Sequence, residues 1–204
     1  MEPLNPPVQQ NVFLNVPFDP KYRPLFVALI AGLTALGREP HCVLEVPSSG
    51  RNRLDRIYDL IASCGASVHD LSRVSLSGRM RVPRFNMPFE LGMAYGLSRQ
   101  ISHSFFVFEE RGHRLQASLS DLNGYDPQIH HGTQTGVLGC LLDCFATPAG
   151  SPPLSTLKSL TRNLSRVMLK LQREQGHADP FRPYLFRQAV QAAGALAKAE
   201  GLIE

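Results

Sequence analysis

Apolar and polar positions along the first hundred residues switch repeatedly between a two-residue and a 3.6-residue period, and that switching predicts the fold. Asn11-Val12-Phe13-Leu14-Asn15-Val16 is a short β-rich run stopped by Pro17 and the turn residues Asp19-Pro20, which reads as a buried first strand. Tyr22 to Leu36 places Leu25, Leu29, Leu33 and Leu36 on one helical face and meets Gly37 where a helix should end. His41 to Leu44 reads as a second short strand and Pro47 to Gly50 as loop. Arg53 to Cys64 reads as a helix with Leu54, Ile57, Tyr58 and Ile61 inward. A third strand is expected over Ala66 to Asp70, and a basic loop over Arg73 to Pro83. A helix should open near Asn86, a good cap residue, and run to about Leu97. Ser104 to Phe108 is an unbroken apolar fourth strand. This alternation predicts an α/β fold: a flavodoxin-like open parallel sheet of four to five strands, helices on both faces, joined by right-handed crossovers.

Beyond residue 110 the pattern is coarser. A short helix is expected within Leu115 to Leu122, a brief strand near Ile129-His130-His131, and a helix over Thr133 to Phe145. The Gly/Ser/Pro-rich break at Ala149 to Pro153 suggests an α/β domain over 1–148 and a helical extension over 149–204. In that extension Leu157, Leu160, Leu164, Val167, Met168 and Leu171 form one stripe, either core or a surface for a second copy of the chain. The second use would make the protein a homo-oligomer through its C-terminal helices.

Composition limits what this frame can do. With 204 residues, 43% of them apolar and 19% charged, the chain can bury a substantial core. The net charge of +4 is mild and its basic residues are scattered apart from the Arg51–Arg56 and Arg79–Arg84 stretches, so a nucleotide-sized anion fits it better than a nucleic acid. Cys42, Cys64, Cys140 and Cys144 have no CxxC spacing, which points to buried free thiols and no metal site. No apolar stretch approaches a membrane span, and Met1 to Gln10 has no leader pattern. A cytoplasmic, reducing setting is the expectation.

In a parallel sheet the loops after the strands gather at one edge, where ligands bind. They bring Phe18 and Asp19 after the first strand, and Glu45, Ser48, Ser49 and Arg53 after the second. Asp70 ends the third strand, with Arg84, Asn86 and Glu90 one loop later. No GxGxxG or GxxxxGK[ST] phosphate loop and no GxSxG elbow occurs, which disfavours a dinucleotide-binding oxidoreductase, an NTPase and a serine hydrolase. The edge offers carboxylates, arginines and aromatic faces instead. That set suits an N-glycoside: an aromatic meets the base, a carboxylate the ribose and its developing cation, an arginine the phosphate. Glu90 is the expected essential carboxylate and Asp70 its partner.

The stretch Pro88-Phe89-Glu90-Leu91-Gly92-Met93-Ala94, the opening Val12-Phe13-Leu14-Asn15-Val16-Pro17-Phe18-Asp19 and His69-Asp70-Leu71-Ser72 resemble the nucleoside 2-deoxyribosyltransferase-like and TIR-like superfamily over roughly residues 10 to 130. That resemblance implies cleavage of an N-glycosidic bond, with Glu90 matching the catalytic glutamate, in proteins of the bacterial defence and signalling kind. The basic stretch Arg73 to Arg84 departs from the acidic loop of deoxyribosyltransferases and turns the expectation toward a phosphorylated substrate. The leading expectation is an enzyme that takes NAD as substrate, with no cofactor, and releases nicotinamide. A nucleoside deoxyribosyltransferase or nucleotide hydrolase, and a non-catalytic nucleotide sensor or interaction module, are the rivals.

Overall fold

The computed structural model describes residues 8–46, 50, 52–73, 84–113, 119–122, 124–147, 150–176 and 179–204. Five strands, β1 (Val8–Asn15), β2 (Glu39–Cys42), β3 (Cys64–Asp70), β4 (Ser104–Glu109) and β5 (Gln128–Ile129), form one sheet in the order β2-β1-β3-β4-β5. The pairs β1–β3, β3–β4 and β4–β5 are parallel. This is the flavodoxin-like order, and it reverses direction between β1 and β3. By its internal contacts the chain falls into two compact units: Met1–Pro17 with His41–His131, and Phe18–Pro40 with Gly132–Glu204. The break read at 149 lies inside the second unit.

In the first unit β3 is the buried centre, and all seven of its residues are shielded from water. Its register partners Phe13↔Ser67 and Asn15↔His69 place these four side chains on one face of the sheet. Two helices, α2 (Arg53–Ser63) and α3 (Asn86–Ser98), lie beside each other and against β1 and β3, α3 also meeting β4. Phe13, Ile57, Ile61, Ala62, Cys64, Ala94 and Leu97 form the core between them. Leu71, Met87, Leu91 and Val107 form a second cluster toward the strand ends. Gly65 is required: a β-carbon there would stand 2.6 Å from Gln9 Cα, beside the irregular register between Val8 and Val12.

Several boundaries moved from those the sequence pattern predicts. β1 and β3 start earlier, and β2 starts at Glu39 and ends at Cys42 because the chain tightens into a 3₁₀ turn over Val43–Glu45. Asn86 is not the cap of α3. The chain already winds helically at Phe85 (φ −61°, ψ −21°), so Phe85 is the cap position, with no side-chain hydrogen bond, and Asn86 lies inside the helix. Ser120–Leu122 is a 3₁₀ turn, and the rest of the helix expected there falls outside the described residues.

The second unit is helical: α1 (Arg23–Ala35), α4 (Gln134–Phe145), α5 (Leu154–Glu174) and α6 (Pro183–Ala199). α1 is buried from Leu25 to Ala35 because α4, α5 and α6 all pack on it. Gly32 admits the Leu138 and Leu141 side chains of α4 to its backbone. The α5 stripe is core: Leu157, Leu160, Leu164 and Met168 are buried within the chain, against α1, α4 and α6. Among the described residues no helix is long and apolar enough to cross a membrane.

Candidate active site

Helix α3 carries the feature that singles out this edge. Its inner face repeats at helical spacing through Met87, Leu91, Ala94 and Leu97, all buried, and Glu90 takes a place on that same face. Its neighbour Phe89 points outward, 56% exposed, as does Phe85 at 64%. The first turn of α3 is thus inverted, with aromatic rings outside and a carboxylate inside, at a cost that ordinary folding would avoid. Glu90 is 9% exposed. Among the described residues no hydrogen bond or ion pair reaches its carboxyl group. Burial pushes its pKa from an ordinary 4.5 up to about 7, opposed by the positive charge of Arg53 at the start of α2. A largely buried carboxyl group with no hydrogen bond among the described residues, at the carboxyl end of a parallel sheet, makes Glu90 the candidate for a reactive or ligand-binding acid.

Asp70 is differently placed. It ends β3 with no exposure, and its oxygens are taken up locally. The Ser72 backbone N–H donates to Oδ1 at 2.9 Å, the Ser72 hydroxyl donates to the same oxygen, and His130 Nε2 stands 3.1 Å from Oδ2. His130 Nε2 is also 2.9 Å from Ser72 Oγ. The three side chains tie the loop after β3 to the residue after β5. Ser, His and Asp here do not form a nucleophilic triad, because one imidazole nitrogen faces both partners and the serine hydrogen points to the carboxylate. Asp70 thereby fastens the loop after β3 at this edge.

The remaining candidates divide. Arg53 is exposed and acts on Glu90 electrostatically. Arg84 is half-buried one turn before Met87, whose N–H its carbonyl accepts, and Asn86 is exposed on the first turn of α3. Glu45 is engaged at home, accepting from the Cys42 N–H at 3.1 Å and meeting His41 Nδ1 at 3.0 Å. Phe18 and Asp19 belong to the helical unit. There Phe18 packs edge-on against Phe26 and Phe181, and Asp19 accepts from the N–H groups of Lys21 and Tyr22 ahead of α1. Both have structural employment. Ser48, Ser49 and 74–83 lie outside the described residues.

Sequence reasoning passed over several residues at this edge. Glu109 ends β4, is buried, and accepts from the Glu110 N–H at 2.8 Å. His130 is fully buried while His131, at φ 54°, is exposed. Asn15, at the end of β1, donates from Nδ2 to the Met87 carbonyl at 2.8 Å and so holds the first turn of α3. All four cysteines are free, and burial pushes the Cys144 thiol up to about 12. Among the described residues no group of three or more metal-binding side chains converges. Against known proteins, no family model, no curated protein and no solved structure matches this chain.

Proposed function

We propose that the protein cleaves the N-glycosidic bond of a nucleotide, with NAD as the leading substrate and Glu90 as the essential carboxylate. The observation that carries this reading is the Glu90 carboxyl group, on the inner face of α3 and free of any hydrogen bond or ion pair among the described residues. In the reaction the bond between the ribose anomeric carbon and the nicotinamide nitrogen breaks. Its electron pair returns to the pyridinium ring, which leaves neutral. Water then adds to the anomeric carbon and gives up a proton. The transition state is oxocarbenium-like, and an ionised carboxylate beside it stabilises the developing charge or captures it covalently.

The leaving group argues for NAD over an ordinary nucleoside. Nicotinamide departs without protonation, so one carboxylate suffices, and Asp70 is enclosed by Ser72 and His130. A cationic substrate also draws the Glu90 pKa down as it binds, ionising the group where it is needed. Arg53 supports a phosphorylated ligand as an exposed cation near that carboxyl group.

One observation favours deoxyribosyl transfer as the second reading. With a pKa of about 7, Glu90 is protonated in part of the molecules at neutral pH and could hand that proton to a departing purine or pyrimidine. Product analysis separates the two. The full chain is incubated with NAD, and separately with a deoxynucleoside plus a second free base. Nicotinamide release from NAD without base exchange is the expected result. Exchange without action on NAD would transfer the reading to the second class, and no product from either would remove both.

A further inference from the structure

We propose that Asn15 is a positioning residue for Glu90, held in its donating orientation by a one-way chain of hydrogen bonds through His69, Ser67 and His103. The inference rests on the reading of Glu90 as the reactive group, though the chain of bonds can be tested without it.

The direction of every bond follows from one end. The Cys64 carbonyl can only accept, so His103 Nδ1, at 2.8 Å, carries a hydrogen. Burial lowers the pKa of both imidazoles, that of His69 to about 3, so at neutral pH each ring carries one N–H. His103 Nε2 is then a lone pair, and the Ser67 hydroxyl donates to it at 2.9 Å. Having used its only hydrogen, Ser67 Oγ accepts from His69 Nε2 at 2.8 Å. His69 Nδ1 is left as an acceptor, 3.0 Å from Asn15 Nδ2. The second hydrogen of that amide reaches the Met87 carbonyl at 2.8 Å. A flipped amide would set Oδ1 against a lone pair and a carbonyl oxygen together, so the orientation is fixed.

All four side chains are buried. The chain runs along one face of β3, from the start of the strand to its carboxyl end, and finishes on α3. That helix has no side-chain cap, since Phe85 stands at the cap position. Its first turn is fastened by a strand residue instead. Met87 lies three residues before Glu90, on the same side of the helix, so the clamp fixes the turn that carries the carboxyl group.

Two measurements on the full chain test this. In the wild type, nitrogen-15 spectra of the histidines between pH 6 and 8 should show His69 as the Nε2–H tautomer without titrating, and neutral His103 as the Nδ1–H tautomer. The opposite tautomer of either ring, or a His69 midpoint within that range, overturns the proposal. In Asn15→Leu, the Glu90 midpoint read by carbon-13 NMR should fall by about one pH unit as the loosened turn admits water. Ser67→Ala should move it the same way and less far. Ile57→Val, a core change in the same unit, should leave it in place. An unmoved midpoint in Asn15→Leu, or an equal movement in Ile57→Val, overturns the proposal. If Asn15→Leu does not fold, Ser67→Ala decides alone, and a wild-type midpoint there sinks the idea. Absence of nicotinamide release by the wild type would count against Glu90 as reactive group and leave these titrations to decide the positioning.

Discussion

Replacing Glu90 with glutamine should stabilise the protein at alkaline pH, and the size of the gain follows from the site. The folded-state pKa is raised from 4.5 to about 7, so the folded protein holds this proton more tightly than the unfolded chain does. Stability from that protonation is fully present below about pH 4.5 and is lost as pH rises to about 7, beyond which the penalty is constant. A displacement of this size corresponds to about 3 kcal/mol at 1.36 kcal/mol per unit, most of it developing between pH 5 and 8. Glutamine keeps the shape and cannot ionise, so Glu90→Gln escapes the penalty while sharing every other titration. The assay is urea denaturation at pH 5 and pH 8, followed by circular dichroism because the chain contains no tryptophan. The variant should gain on the wild type by roughly 2–3 kcal/mol between the two conditions. Equal pH dependence in the two proteins would mean that the carboxyl group is hydrated, and the inward placement on α3 would be refuted. A gain in stability combined with loss of activity is the trade expected at a functional site.

Other perturbations follow from the same geometry. Arg53→Ala removes the cation that opposes the burial of Glu90, so its midpoint, read by carbon-13 NMR, should rise further; a fall would mean the arginine acts elsewhere. Asp70→Ala strands the buried Ser72 and His130 groups, and should cost about 3–5 kcal/mol in chemical denaturation. A loss below about 1 kcal/mol would show that the edge does not depend on that cluster. Gly65→Ala forces a β-carbon into the backbone of Gln9 and should destabilise by roughly 1–3 kcal/mol or more, because a strand backbone cannot step aside as a side chain can. Gly32→Ala meets only the ends of Leu138 and Leu141 side chains and should cost less than Gly65→Ala in the same measurement.

The fold was legible because its elements keep clean periods. Val12 to Leu14, Val68 and the Phe105 to Phe108 run read as strands, and the leucines of α1 as a core helix. Glu90 drew notice by its place after β3 in the run Pro88 to Ala94, and the structure sets it on the inner face of α3 with Met87, Leu91, Ala94 and Leu97. What sequence order hides is pairing at a distance. Ser72 and His130 are 58 positions apart, and Asn15 and Met87 are separated by 72, so neither contact leaves a local signal. His69 and Ser67 alternate with apolar residues as any strand polar residue might, and only the sheet register turns them into neighbours of Asn15 and His103. Asn86 misled because its type suits a cap, whereas the chain had entered the helix a residue earlier. Phe18 and Asp19 were site candidates by position after β1; their contacts with an aromatic cluster and a helix start left no local signal either.

The most direct measurement is nicotinamide release from NAD at pH 8 by the wild type and by Glu90→Gln, with both proteins shown to be folded. The account predicts steady release by the wild type and a loss of at least about a thousandfold in the variant, the scale of removing a group that stabilises transition-state charge. Equal rates in the two proteins, or no release by a folded wild type, would contradict it.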